Sequence, residues 1–209
     1  VFSKEPLSPE EMEHLCSVLG ERGEWQKLAY VKFTYSTGCR RAESRQLLKE
    51  VVNYEPKKTL VTVIDENGTE QTLESISYKT HDIRCKGRSK VGKVRKLQFG
   101  QDVMDALKKW LEMRGKDDCP YMFVIKTKDG KTRQVGEGVF NDWCIHEFSE
   151  IIGRRTTPHN FRRSRATNLV VYNHRSLETA QKLLGHESSE TTQMYVIRED
   201  SEDADEAFV

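Results

Sequence analysis

Four short stretches of this 209-residue chain hold residue types that could do chemistry, one of them as an anion site. In Thr37-Gly38-Cys39-Arg40-Arg41-Ala42-Glu43, the glycine permits a tight turn into a helix, and Glu43 follows Arg40 one helical turn on. In Thr157-Pro158-His159-Asn160-Phe161-Arg162, Thr157 can cap a helix whose first position suits Pro158. His159 and Arg162 then project from one face of a helix N-terminus, where free N–H groups already favour an anion. Leu183-Leu184-Gly185-His186 sets His186 in a turn after a helix-ending glycine, and Tyr195 follows on a further helix beginning near Ser188 or Ser189. Lys90, within Arg88-Ser89-Lys90-Val91-Gly92-Lys93-Val94-Arg95, sits at a strand-to-strand turn from which an ammonium can reach into a groove. Each pattern alone has an ordinary reading: a surface ion pair, an unrelated surface histidine, a core aromatic with a tethered hydroxyl, a solvated hairpin tip.

The elements that must position these residues can be read from periodicity. Ser8-Pro9-Glu10-Glu11 reads as a capping box, followed by Met12, Leu15, Cys16 and Leu19 on one face of a helix ending near Gly20. A second helix is expected over Trp25 to Thr37, broken by Gly38, and a third from about Arg41 to Val51. After Pro56 the pattern becomes β-branched and alternating: strands are expected at Thr59 to Ile64 and Thr69 to Ile76 about the Asn67-Gly68 turn, then at Asp82 to Lys86 and Lys93 to Phe99. Val103, Leu107, Trp110 and Leu111 share a helical face, Lys126 to Arg133 reads as a loop or short hairpin, and helices follow at about 137–152, 158–173, 176–184 and 189–197. The expected fold class is α+β, mainly α-helical, a helical bundle with one small antiparallel β-sheet on an edge.

Composition narrows the function classes. With 36% hydrophobic and 32% charged residues there is material for one good-sized domain. No apolar run approaches the roughly 18 residues of a membrane span, and the N-terminal residues do not form a signal peptide. The five cysteines are odd in number, scattered and never in a C-x-x-C pair, which predicts reduced thiols in the cytoplasm and no disulfide framework or zinc site. Net charge is +1, but residues 199–209 hold six acids and no base, so the remainder stands at +7. Lys79 to Lys96 carries eight Lys or Arg against one Asp, and Arg154 to Arg165 carries five arginines. A basic body with an acidic tail points to a polyanionic partner.

Taken in order, the four stretches resemble the catalytic domain of the tyrosine recombinases, the phage-integrase family. The family pattern T-G-x-R-x-x-E stands here as Thr37 to Glu43. Its hairpin lysine, five residues before an arginine on the next strand, matches Lys90 and Arg95. The pattern H-x-L-R-H-T-x-A-T stands as His159 to Thr167, and L-L-G-H-x-x-x-x-T-T-x-x-Y as Leu183 to Tyr195. The resemblance runs from about Leu7 to Ile197. Arg163 replaces the usual second histidine, Phe161 replaces leucine, Gln98 stands where proline is common, and Asp65 to Tyr78 looks like an insertion that makes Lys86 a rival to Lys90.

The resemblance implies site-specific cleavage and rejoining of double-stranded DNA, for integration or excision of a mobile element. Tyr195 would be the nucleophile, Arg40, Lys90, His159, Arg162 and His186 its catalytic partners, and Glu43 a support that orients Arg40 or His159. Lys86, Arg88, Lys93, Arg95, Arg163 and Arg165 are expected to contact DNA. A phenol with a pKa near ~10 needs a base or a strongly positive site to attack phosphorus, and forked guanidinium donors match the non-bridging oxygens of the phosphorane. No metal and no cofactor are expected. The family also implies a tetramer on DNA from a protein monomeric in isolation, nucleoid association, and an N-terminal DNA-binding domain of which residues 1–7 would be a frayed linker remnant. Residues 8–197 would form the catalytic domain and 198–209 an acidic tail. The rival readings are relaxation of supercoils in the manner of a type IB topoisomerase, and a DNA-binding module without catalysis.

Overall fold

Ser8 opens the first helix by a reciprocal cap: its Oγ accepts from the Glu11 N–H at 3.1 Å while its own N–H donates to Glu11 Oε1 at 3.0 Å. This computed structural model describes residues 5–64, 67–86 and 92–173. Arg88, Lys90, His186, Tyr195, the helices expected at 176–184 and 189–197, and the acidic tail lie outside the described residues.

Helix α1 (Pro9–Glu21) buries Met12, Leu15 and Leu19 against α2 (Trp25–Thr37). Gly38 ends α2 at φ 67°, a left-handed conformation that glycine adopts without a Cβ penalty. Helix α2 runs through the centre of the core. Tyr30 stacks on Phe140 with ring centroids 4.3 Å apart, and Phe33 meets Phe99 edge-on at 5.9 Å. Helix α4 (Gln101–Arg114) packs on α2 through Val103, Met104 and Leu107, and α7 (Pro158–Asn173) packs on it from another side.

The helix expected from Arg41 to Val51 stops after one turn, α3 (Arg41–Ser44). Tertiary partners claim the backbone groups that would have continued it. The Leu48 N–H donates to His81 Nε2, the Lys49 N–H to the Pro120 carbonyl, and the Leu47 carbonyl accepts from the Met122 N–H. A 3₁₀ turn over Lys49–Asn53 follows.

Among the described residues the strands form three separate antiparallel sheets, where the sequence predicts one. β1 (Lys57–Ile64) pairs with β2 (Glu70–Lys79), and β2 with β5 (Gln98–Gly100); β3 (Ile83–Cys85) pairs with β4 (Lys93–Arg95), and β6 (Val124–Lys126) with β7 (Thr132–Gln134). The single strand expected over Lys93 to Phe99 therefore splits. Leu97 exchanges hydrogen bonds with Thr80, giving its N–H to Thr80 Oγ1 and accepting the Thr80 N–H, which hands the chain from β3 to β2.

The helical stretch expected at 137–152 forms as α5 (Glu137–Trp143), a π turn over Cys144–Phe148 and α6 (Ser149–Ile152). At the start of α7, Asn160, three residues on from Thr157, accepts at Oδ1 from both the Thr157 N–H and its hydroxyl. Glu5 to Leu7, expected to fray, are instead tied to this region. Asn160 Nδ2 donates to the Glu5 carbonyl at 2.7 Å, Arg154 Nη2 to the Pro6 carbonyl at 3.0 Å, and the Leu7 N–H to Ser164 Oγ at 2.8 Å.

Candidate active site

A pocket of about 290 Å³ opens between the start of α3, the end of β3 and the start of α7. Arg40, Arg41, Lys86, His159 and Arg162 line it, with Cys39, Ala42, Glu137 and Pro158. Residues from stretches of the chain as distant as Arg40, Lys86 and Arg162 thus share one cavity.

Each cation has a local reason for its place. Arg40 is the N-cap of α3, extended at φ −82° and ψ 163°, so its side chain leaves before the helix begins. Glu43 fixes that geometry by accepting the Arg40 N–H at 2.9 Å, while the Arg40 guanidinium stays 40% exposed and only loosely paired, at 3.9 Å. Arg162 is half-buried and donates from Nη1 to the Gly38 carbonyl at 2.7 Å, which ties α7 to the turn before Arg40. Burial, and then the like charge of Arg40, pull the Arg162 pKa below the ordinary arginine value. The two guanidinium groups repel each other across the cavity, so a phosphate between them relieves that repulsion.

Glu43 supports Arg40 through its backbone, and its second partner is unexpected. Glu43 Oε1 pairs with Arg95 Nη2 at 3.1 Å, with the two side chains 1% and 4% exposed. Burial pushes the Glu43 carboxyl up, but the Arg40 N–H and the Arg95 charge outweigh it and hold it below the usual range. Arg95 also donates from Nε to Cys85 Sγ at 3.0 Å. The expectation that Arg95 contacts DNA is therefore corrected: it turns into the protein to neutralise Glu43. Arg165 is corrected likewise, because it is buried against Gly38, where a Cβ on that glycine would lie 2.7 Å from Arg165 Cγ. Lys93 and Arg163 are exposed.

Sequence reasoning missed Arg41 and Glu137 as lining residues. Arg41 could have been found by its adjacency to Arg40; Glu137 carries no sequence signal, because only the docking of α5 beside α3 brings it near. Among the described residues, no group of three or more His, Cys, Asp or Glu is placed to hold a metal ion. None of the five cysteines forms a disulfide. Burial pushes the Cys39 thiol up to about 12, and Cys144 is raised by the same cause, so neither is a nucleophile at neutral pH.

The profile of the phage integrase family matches residues 5–202 of this chain. The chain belongs to that family. This phage-integrase chain is 26% identical over 211 residues to the SPbeta prophage-derived recombinase-like protein YomM of Bacillus subtilis (strain 168), an alignment covering all of this chain and 58% of the relative. Among solved structures it resembles XerA recombinase with a TM-score of 0.53 and 20% identity, over 91% of this chain and 57% of that one. It also resembles the XerH site-specific recombinase bound to palindromic difH substrate in a post-cleavage complex, with a TM-score of 0.50 and 22% identity, over 98% of this chain and 52% of that one. The chain thus spans between half and three-fifths of those proteins, and its fold is the tyrosine-recombinase catalytic fold.

Proposed function

We propose that this chain is the catalytic domain of a site-specific recombinase that cleaves and rejoins double-stranded DNA through a 3′-phosphotyrosyl intermediate, serving integration or excision of a mobile element. The observation that carries the reading is the single pocket shared by Arg40, Lys86, His159 and Arg162. Two guanidinium groups, an imidazole and an ammonium around one cavity form the donor set that a charged phosphorane requires, and the loss of one such donor commonly costs ~3–4 kcal/mol of barrier.

The Tyr195 phenol oxygen bonds to phosphorus and its proton passes to His159. Arg40, Arg162 and His186 hold the charge that gathers on the non-bridging oxygens. The bond from phosphorus to O5′ breaks, and a lysine ammonium gives its proton to the departing oxygen, leaving a 3′-phosphotyrosine and a 5′-hydroxyl. The 5′-hydroxyl of another strand reverses each transfer, so one phosphoester replaces another and no nucleotide is consumed. We assign the proton donor to Lys86, a residue that lines the pocket; Lys90, the other candidate, lies outside the described residues. Exposed Lys93 and Arg163, and Arg41 at the pocket, hold the duplex through its phosphates, making binding strongly salt-dependent. The working assembly is a tetramer on DNA, built from monomers that each use their own Tyr195.

The test is a randomised pool of nicked duplex oligonucleotides at low salt, with covalent adducts resolved on denaturing gels and sequenced. An adduct that Tyr195→Phe abolishes supports catalysis, and Lys86→Ala lowers its rate far more than Lys90→Ala. Binding by the unmodified chain with no adduct overturns the reading in favour of a binding module. Plasmid relaxation without recombinant product favours topoisomerase-like chemistry.

A further inference from the structure

Gln46 behaves as a one-residue strand. Its Oε1 accepts from the Arg84 N–H at 2.9 Å and its Nε2 donates to the Arg84 carbonyl at 2.9 Å. The same Nε2 donates to the Ala42 carbonyl of α3 at 2.7 Å. Along a strand, the backbone groups of alternate residues face alternate edges. β3 meets β4 along one edge, in the register Ile83↔Arg95, Arg84↔Val94, Cys85↔Lys93. The Arg84 groups that Gln46 satisfies are therefore those of the opposite edge.

This bond pair joins two halves of the pocket. α3 begins at Arg40, and β3 ends one residue before Lys86, both of which line the cavity. Burial of Ile83 and Cys85 presses β3 onto the core but does not fix its sliding along its own axis, because apolar contact is non-directional. Two opposed amide bonds to a single residue do fix it, since a slip of one residue moves the partner groups by about 3.4 Å and turns them to the other edge. The Glu43–Arg95 ion pair ties β4 to the same turn through a side chain, so each strand of this ladder has its own tie to the α3 turn.

We propose that Gln46 is a positioning residue for Lys86, locking β3 so that the Lys86 ammonium meets the oxygen leaving phosphorus. The inference rests on the recombinase reading and assigns Gln46 a part in the proton-transfer half of the reaction. Gln46 is only partly buried, so its truncation leaves no core cavity.

The experiment compares the full chain with Gln46→Ala on two nicked duplexes recovered from the randomised pool, one with the ordinary 5′-bridging oxygen and one with sulfur there. A thiolate leaves without a proton, so sulfur removes the need for the lysine acid. Gln46→Ala is expected to slow adduct formation roughly ten- to a hundredfold on oxygen, as misplacement by about an ångström does, and to match the unmodified chain on sulfur. Lys86→Ala should give the same pattern, and Gln46→Ala added to it should cost nothing more. Equal slowing on both substrates, or none on oxygen, overturns the role assigned to Gln46. A chain that forms no Tyr195-dependent adduct on either substrate instead overturns the recombinase reading itself.

Discussion

Replacing Arg95 by Met strands a buried carboxylate, and the structure sets both the size of the penalty and its dependence on pH. Arg95 Nη2 lies 3.1 Å from Glu43 Oε1 in a nearly solvent-free site. At an effective dielectric of about 20 their attraction is about 5 kcal/mol, and removing one partner of such a pair commonly costs about 3–5 kcal/mol. In the unmodified chain Glu43 sits below its ordinary value of 4.5, so it contributes stability above that pH and loses it as pH falls through the folded value. Without Arg95, burial dominates and raises the folded value above 4.5, which reverses the sign. The folded variant then takes up a proton that the unfolded chain does not hold, at a cost of about 1.4 kcal/mol for each pH unit above 4.5. That protonation limits this added cost to about 3 kcal/mol at pH 7 and about 2 kcal/mol at pH 6, falling away towards pH 4.5, and it adds to the loss of the stability that the lowered carboxyl gives the parent. Urea unfolding followed by tryptophan fluorescence at several pH values between 4.5 and 7.5 measures the gap directly. Arg95→Met combined with Glu43→Gln removes both charges and should recover most of the loss at pH 7. A deficit independent of pH, or a double variant as unstable as the sum of the singles, would refute the buried-pair account.

Gly38→Ala forces a left-handed residue to carry a Cβ that would lie 2.7 Å from Arg165 Cγ and 2.9 Å from its Cβ. The expected destabilisation is about 2–4 kcal/mol by chemical denaturation, and cleavage should fall further than the folded fraction explains because Gly38 holds Arg162. Glu11→Gln keeps the helix cap but removes the charge that Arg154 engages at 2.7 Å. Hydrogen bonding to Arg154 holds Glu11 at about 2, so the pair stabilises above the ordinary value of 4.5 and the benefit is lost as pH falls towards 2. The pair is partly exposed and contributes about 1 kcal/mol at most, so the gap between variant and parent in urea midpoint should shrink between pH 5 and pH 3.5; a gap that widens contradicts it.

Local signals were legible because they act within one turn of helix. The Ser8/Glu11 cap, the breaking of α2 at Gly38 and the proline-led start of α7 each depend on neighbours three or four residues away, and each forms where the residues predict it. The same holds for the β1–β2 hairpin about Asn67-Gly68, which forms a ladder from Lys57↔Ser77 to Ile64↔Glu70. The α3 helix failed for the opposite reason, since the helical propensity of Arg41 to Val51 competes with partners at His81, Pro120 and Met122 that no local window contains.

By itself, the sequence determined which residue types can hold a phosphate and the order in which they come along the chain, because caps, turns and spacing are short-range properties. Tertiary structure alone decided where each charge points. Arg95 and Arg165 read as surface cations until the fold brings them against Glu43, 52 residues away, and Gly38. Lys86 and Gln46 gain their meaning only once β3 docks on the α3 turn. The physical reason is that a charged side chain goes where the partners repaying its lost hydration are found, and folding assembles those partners from distant parts of the chain.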